Sequence, residues 1–130
     1  MSLNDPLANM FSAMLNNEKT GKITVNIKPI SNTIKKVLEV LKENGYIAGT
    51  KETEDGKGNY LTITLSGNIN KCGAIKPRYA VGKTEYEKFE RRFLPAKGFG
   101  IIIVSTPQGI MTNEEAKQKQ TGGRLLAYCY

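Results

Sequence analysis

Four consecutive β-branched apolar residues, Ile101, Ile102, Ile103 and Val104, run without a break into Ser105-Thr106-Pro107-Gln108-Gly109. A run of this kind reads as a buried strand, and Pro-x-Gly after it reads as a tight turn. Downstream the sequence predicts a short charged helix, then Gly122-Gly123, then a closing apolar strand that ends at Tyr130. Two short hydroxyl residues at a strand end, opposed by a glycine pair, make a small polar surface with no acid, base or metal ligand. Such a surface suits recognition rather than reaction.

The first half of the chain has a different pattern. Asp5-Pro6 is a helix start, with Asp as N-cap and Pro at the first helical position, and Leu7, Met10, Phe11, Met14 and Leu15 follow at helical spacing. Ile23, Val25 and Ile27 alternate, which predicts a strand over 22–28 with one buried face, ended by Pro29. Ser31 or Asn32 caps a second helix with Ile34, Val37, Leu38 and Leu41 on its buried stripe, stopped at Gly45. Strands are expected over 46–51 and 59–66, joined by a hairpin loop from Glu54 to Asn59. The resulting expectation is an α+β fold of two domains. An N-terminal α/β unit (helix, strand, helix, strand, strand) spans 1–67, and a mostly β unit with short helices spans 68–130. Capped helical turns are expected at Thr84-x-x-Glu87 and Thr112-x-x-Glu115.

Charge separates the same two halves. Residues 1–67 carry 8 Lys/Arg against 7 Asp/Glu, whereas residues 68–130 carry 11 against 5, within a chain of net charge +7. A basic half on a compact fold favours a polyanionic partner, nucleic acid first and a membrane surface second. The sequence contains no histidine, which removes Ser-His-Asp and Cys-His catalysis and histidine metal sites together. Cys72 and Cys129 are too few for a disulfide framework or a zinc site, which fits a reducing cytoplasm. No apolar run approaches the ~20 residues of a membrane span, and the N-terminus does not read as a signal peptide.

Three catalytic or nucleotide motifs fail on inspection. Gly82-Lys83-Thr84 ends like a P-loop, but Pro77 stands where its first glycine belongs. Gly98-x-Gly100 is half a dinucleotide fingerprint, with Ile103 in place of the third glycine. Ser105 lacks the Ser-x-x-Lys spacing of a lysine-activated nucleophile, because Gln108 occupies that position. Cys72 has Lys71 and Lys76 nearby but reads better as a small core hydrophobe than as a reactive thiol.

What remains favours RNA. Between Lys71 and Lys97 cations interleave with aromatics, and Tyr86, Phe89 and Phe93 are expected to pack inward from a helix around 85–93 while the cations face solvent. A-form RNA displays 2′-hydroxyls and base edges in a shallow minor groove, and a short hydroxyl at Ser105 or Thr106 can donate to or accept from them. Pro107 stiffens the turn, and Gly109, Gly122 and Gly123 are expected to leave room for another polymer's backbone. Each feature alone is explained by an ordinary turn or cap; together they lean toward RNA.

The run from Ile103 to Thr112, with Glu115-Ala116 and Gly122-Gly123 beyond it, resembles the signature of the family of the universal small-subunit ribosomal protein number eight. Asp5-Pro6-Leu7-Ala8-Asn9-Met10 is similar to that family's opening motif. Asn70 to Arg78 and the ending Gly122-Gly123-Arg124-Leu125-Leu126-Ala127-Tyr128 are similar to its archaeal and eukaryotic branch. The resemblance runs from about residue 4 to residue 130.

It implies a non-enzymatic primary rRNA-binding protein of the cytoplasmic small ribosomal subunit, without cofactor, metal, catalytic residues or membrane partner. The rRNA partner would be an irregular helix in the central domain, and neighbouring ribosomal proteins would be further partners. Repression of translation by binding its own mRNA is an open alternative. The family's specific contacts map to Ser105, Thr106, Gly122 and Gly123, with Gly109 in the same loop. Supporting contacts map to Asp5 and Pro6, to Lys28, Ser31, Asn32 and Lys35, and to Tyr79. Two positions depart from the bacterial pattern. Pro107 replaces a third hydroxyl, whose contact is lost or passes to Gln108, and Arg124 replaces a usual Glu, putting a cation where phosphate could be met.

Overall fold

The computed structural model describes residues 6–27, 32–54, 56, 59–75, 78–96 and 98–130. The chain divides into two compact units, Met1–Asn70 and Lys71–Tyr130, and its class is α+β.

In the first unit, helix α1 (Pro6–Thr20) buries Leu7, Met10, Phe11 and Met14, as the spacing predicts, and Leu15 is half-buried. Fully burying side chains of this size stabilises by about 1.5–3 kcal/mol each. Helix α2 (Asn32–Glu43) buries the expected stripe and Val40 as well. Both helices end in the same way. Gly21 (φ 79°) and Gly45 (φ 81°) take the left-handed conformation. The next residue's N–H then reaches back a full turn, Lys22 to the Asn17 carbonyl at 2.9 Å and Tyr46 to the Leu41 carbonyl at 3.0 Å.

Strands β1 (Thr24–Ile27), β2 (Ile47–Glu54) and β3 (Asn59–Leu65) form an antiparallel sheet in the order β1-β3-β2. β3 occupies the centre, with Leu61, Ile63 and Leu65 buried on one face and the Thr62 hydroxyl donating to Asn26 Oδ1 at 2.7 Å on the other. Helix α1 packs against β1 and α2 against β2.

Two boundary expectations need correction. β1 is shorter than 22–28, and Ile23 is 67% exposed although its carbonyl accepts from the Leu65 N–H at 2.7 Å. Alternation alone cannot show that a strand's first residue lies beyond the helix that covers its neighbours. β2 runs to Glu54 rather than ending at 51, because its polar outer half still pairs with β3 from Thr50↔Ile63 to Glu54↔Asn59. Asp5, Lys28, Pro29, Ser31 and, within the expected 54–59 loop, Asp55, Lys57 and Gly58 lie outside the described residues.

In the second unit, β4 (Cys72–Ala74), β5 (Ala80–Val81), β6 (Ile101–Thr106), β7 (Gly109–Thr112) and β8 (Gly123–Cys129) form an antiparallel sheet. Its order is β4-β8-β6-β7, and β5 also pairs with β8. Helices α3 (Tyr86–Phe93) and α4 (Asn113–Gln118) supply Tyr86, Phe89 and Ala116 to a core shared with Ile102, Val104 and Leu125. Phe93, expected inward, is half-buried at the margin of that core.

The helix cap expected at Thr112 forms, with its hydroxyl accepting from the Glu115 N–H at 3.2 Å. The one expected at Thr84 does not. α3 starts at Tyr86 behind Glu85, whose carboxylate instead accepts from the Gly82 N–H at 2.9 Å. An acid that can close the preceding turn competes with the hydroxyl cap and moves the start one residue along.

Candidate nucleic-acid interface

Strand register in the second unit brings sequence-distant residues into one row. Ala80 pairs with Arg124, Arg124 with Ser105, and Ser105 with Ile110. Directly opposed residues share a face of a sheet, so these four side chains lie together. Arg124 and Ala80 are exposed, and Ser105 and Ile110 are half-buried. A cation and a hydroxyl thus stand side by side although they are nineteen positions apart.

Thr106 lies on the opposite face, because side chains alternate along a strand. It is 9% exposed, and its hydroxyl is engaged inside the turn. It donates to the Gly109 carbonyl at 2.7 Å and accepts from the Gln108 N–H at 3.1 Å. Those two bonds staple the β6–β7 hairpin and leave Pro107 and Gln108 exposed at its tip. Proline at the first turn position cannot take a positive φ. The turn closes through Gly109, at φ 123°, with open space around it.

The glycine pair has a different use from the one expected. A Cβ on Gly122 would meet the Val81 carbonyl oxygen at 2.4 Å, and one on Gly123 would meet the Ser105 carbonyl oxygen at 2.2 Å. The space left by the missing side chains is therefore filled by this chain's own β5 and β6 backbones. Gly122 and Gly123 hold Arg124 and Ser105 close together. The loop before them is secured by Tyr86, whose hydroxyl donates to the Thr121 carbonyl at 2.7 Å. Burial pushes the Tyr86 phenol above its ordinary pKa.

Tyr79 borders the same row, since its carbonyl accepts from the Leu125 N–H at 3.0 Å. Its ring packs on Phe89, with centroids 5.4 Å apart. The Arg92 guanidinium lies 5.3 Å from the Tyr79 ring and 5.6 Å from the Phe93 ring, so it is oriented at the surface by its cation–π partners.

The remaining candidates belong to the first unit. Asp5, Lys28 and Ser31 lie outside the described residues, Pro6 opens α1, and Asn32 is the exposed first residue of α2. Lys35 forms a 3.0 Å ion pair with Glu52.

Sequence reasoning missed the support behind the hairpin. β7 ends at Thr112, so the Ile102 N–H meets no strand there, and Asn113 Oδ1 accepts from it at 3.1 Å. The Asn113 amide in turn donates to Glu90, and Lys117 closes the group at 2.6 Å from the same carboxylate. An Asn in the first turn of a helix gives no sequence signal of this bridge.

Among the described residues no group of three or more His, Cys, Asp or Glu could hold a metal ion, and no helix is long and apolar enough to cross a membrane. The family model described as ribosomal protein S8 matches residues 5–130.

Proposed function

The chain belongs to the ribosomal protein S8 family, and from that premise we propose that its β6–β8 corner reads an irregular helix in the central domain of small-subunit rRNA. At family level it is a structural protein of the small ribosomal subunit. It binds rRNA, stands among other ribosomal proteins in the cytoplasm, and belongs to a family that is not one of enzymes.

The observation that carries the proposal is the row Ala80–Arg124–Ser105–Ile110 beside a stapled turn tip. Arg124 meets phosphate, while the Ser105 hydroxyl and the Gln108 amide reach 2′-hydroxyls and base edges in a groove widened by unpaired bases. Thr106, Gly109, Gly122 and Gly123 position these groups. Tyr79 with Arg92 extends the surface, and the first helix and the Asn32–Lys35 region add contacts from the N-terminal domain. The basic C-terminal domain, residues 68–130, supplies the long-range attraction, and the bound protein promotes folding of the central domain.

The test is binding of the purified protein to its central-domain rRNA fragment, with bulk tRNA as competitor and salt varied. Specific recognition survives the competitor. Ser105→Ala should weaken specific binding by about 1–3 kcal/mol without changing tRNA binding, a loss of the size seen for single base-reading contacts. Arg124→Ala should lower the slope of log affinity against log salt by about 0.7–0.9. Binding that tRNA abolishes would overturn the proposal and leave only a basic protein.

A further inference from the structure

The chain has two cysteines, and strand register sets them directly opposite each other, Cys72 on β4 and Cys129 on β8. The flanking pair Lys71 and Tyr130 exchanges both backbone hydrogen bonds, at 2.9 Å each, and four residues further in the Ile75 N–H donates to the Leu126 carbonyl at 2.9 Å. By the alternation of an antiparallel ladder, Cys72 and Cys129 are therefore a non-hydrogen-bonded pair. In such a pair Cα atoms lie about 4.5 Å apart and the side chains are at their closest. That separation falls inside the ~4.4–6.8 Å window a disulfide accepts without backbone movement. Opposed residues share a face, so both thiols point the same way.

We propose that Cys72 and Cys129 are a redox modification site, closing reversibly into an intramolecular disulfide when the protein meets a disulfide oxidant. The burial of the two thiols sets the order of events. Cys129 is fully buried, whereas Cys72 is 4% exposed on a three-residue strand at the edge of the sheet. The Cys72 thiolate attacks one sulfur of a small-molecule disulfide, expelling one thiolate and forming a mixed disulfide. The Cys129 thiolate then attacks Cys72 Sγ, breaking the mixed disulfide and expelling the second thiolate. Two protein thiols lose two electrons, one external disulfide becomes two thiols, and the two protein protons go to the leaving thiolates. The bond ties the edge strand to the C-terminal strand and encloses nearly all of Lys71–Tyr130 in one loop.

The experiment is incubation of the full-length protein with oxidised glutathione, read by intact mass and by thermal melting. The expected product is a monomer about 2 Da lighter than the reduced chain, with no lasting glutathione adduct. Its melting temperature should be raised by roughly 10 °C, from the loop entropy removed in the unfolded chain. Cys129→Ser should instead accumulate the mixed disulfide on Cys72, because the resolving thiol is absent. A wild-type chain that accumulates the adduct, forms only disulfide-linked dimers, or stays reduced when Cys129→Ser is modified would overturn the proposal. So would a lack of reaction in both proteins over hours at a temperature just below melting.

Discussion

Replacing Gly123 by alanine tests whether the glycine pair exists to let this chain's own strands meet. The new Cβ would sit 2.2 Å from the Ser105 carbonyl oxygen, 2.9 Å from its carbon and 3.1 Å from Thr106 Cα, all backbone atoms. Real Cβ contacts do not fall below 3.0 Å, so β6 and β8 must part by at least about 0.8 Å. A ladder hydrogen bond near 2.9 Å stretched by that amount passes out of range, with a net loss of about 1 kcal/mol per bond. Adding the ~1–3 kcal/mol typical of overpacking gives a destabilisation near 3 kcal/mol. In a chain of this size that should lower the melting temperature by roughly 10 °C. Urea titration followed by circular dichroism measures it directly. Gly49→Ala is the control, since nothing lies within 4 Å of a Cβ there and its backbone is ordinary; it should be neutral or slightly stabilising. If Gly123→Ala melts within two or three degrees of wild type (under about 1 kcal/mol), the close-approach reasoning is wrong.

Thr106→Val keeps the shape of the side chain but removes both turn bonds, so it should cost about 1–2 kcal/mol of stability and weaken specific rRNA binding, and Thr106→Ser should restore both. A valine variant that binds rRNA as tightly as wild type would show the staple to be unnecessary. Asn113→Ala strands the Ile102 N–H and removes a partner of Glu90, for an expected loss of about 2–3 kcal/mol in a denaturant titration. For Tyr86 the folded pKa is raised by burial. The folded chain therefore holds that proton after the unfolded chain has begun to lose it. Its contribution is complete below the unfolded value near ~10 and falls as pH rises through the folded value. Tyr86→Phe should remove that alkaline decline while losing about 1 kcal/mol at neutral pH, from the bond to the Thr121 carbonyl. A stability-against-pH series on both proteins decides it.

Much of the fold was legible because its signals are local. Helical spacing located α1 and α2, and the Ile101–Val104 run located β6. A threonine three residues before an acid located the start of α4. The same kind of signal misplaced α3, because Glu85 found a competing partner in the preceding turn. The exposure of Ile23 was equally out of reach, since alternation tells which residues share a face but not where the covering helix ends. At the candidate site the residues could be named from sequence, but their division of labour could not. Ser105 and Thr106 read as two equivalent hydroxyls until strand alternation put them on opposite faces and the turn consumed one of them.

By itself the sequence determined what depends on near neighbours and on composition. It set the element types, the turn at Pro107, the uneven charge, and the absence of histidine chemistry. Tertiary structure alone decided which distant positions become neighbours: Arg124 beside Ser105, Cys72 against Cys129, and the Gly122-Gly123 pair against the Val81 and Ser105 carbonyls. The physical reason is register. A slip of one residue changes every cross-strand partner and turns every side chain to the other face. Nothing within a single strand fixes that choice. It is settled when several strands bury their apolar faces together and the ladder closes with the fewest unpaired groups.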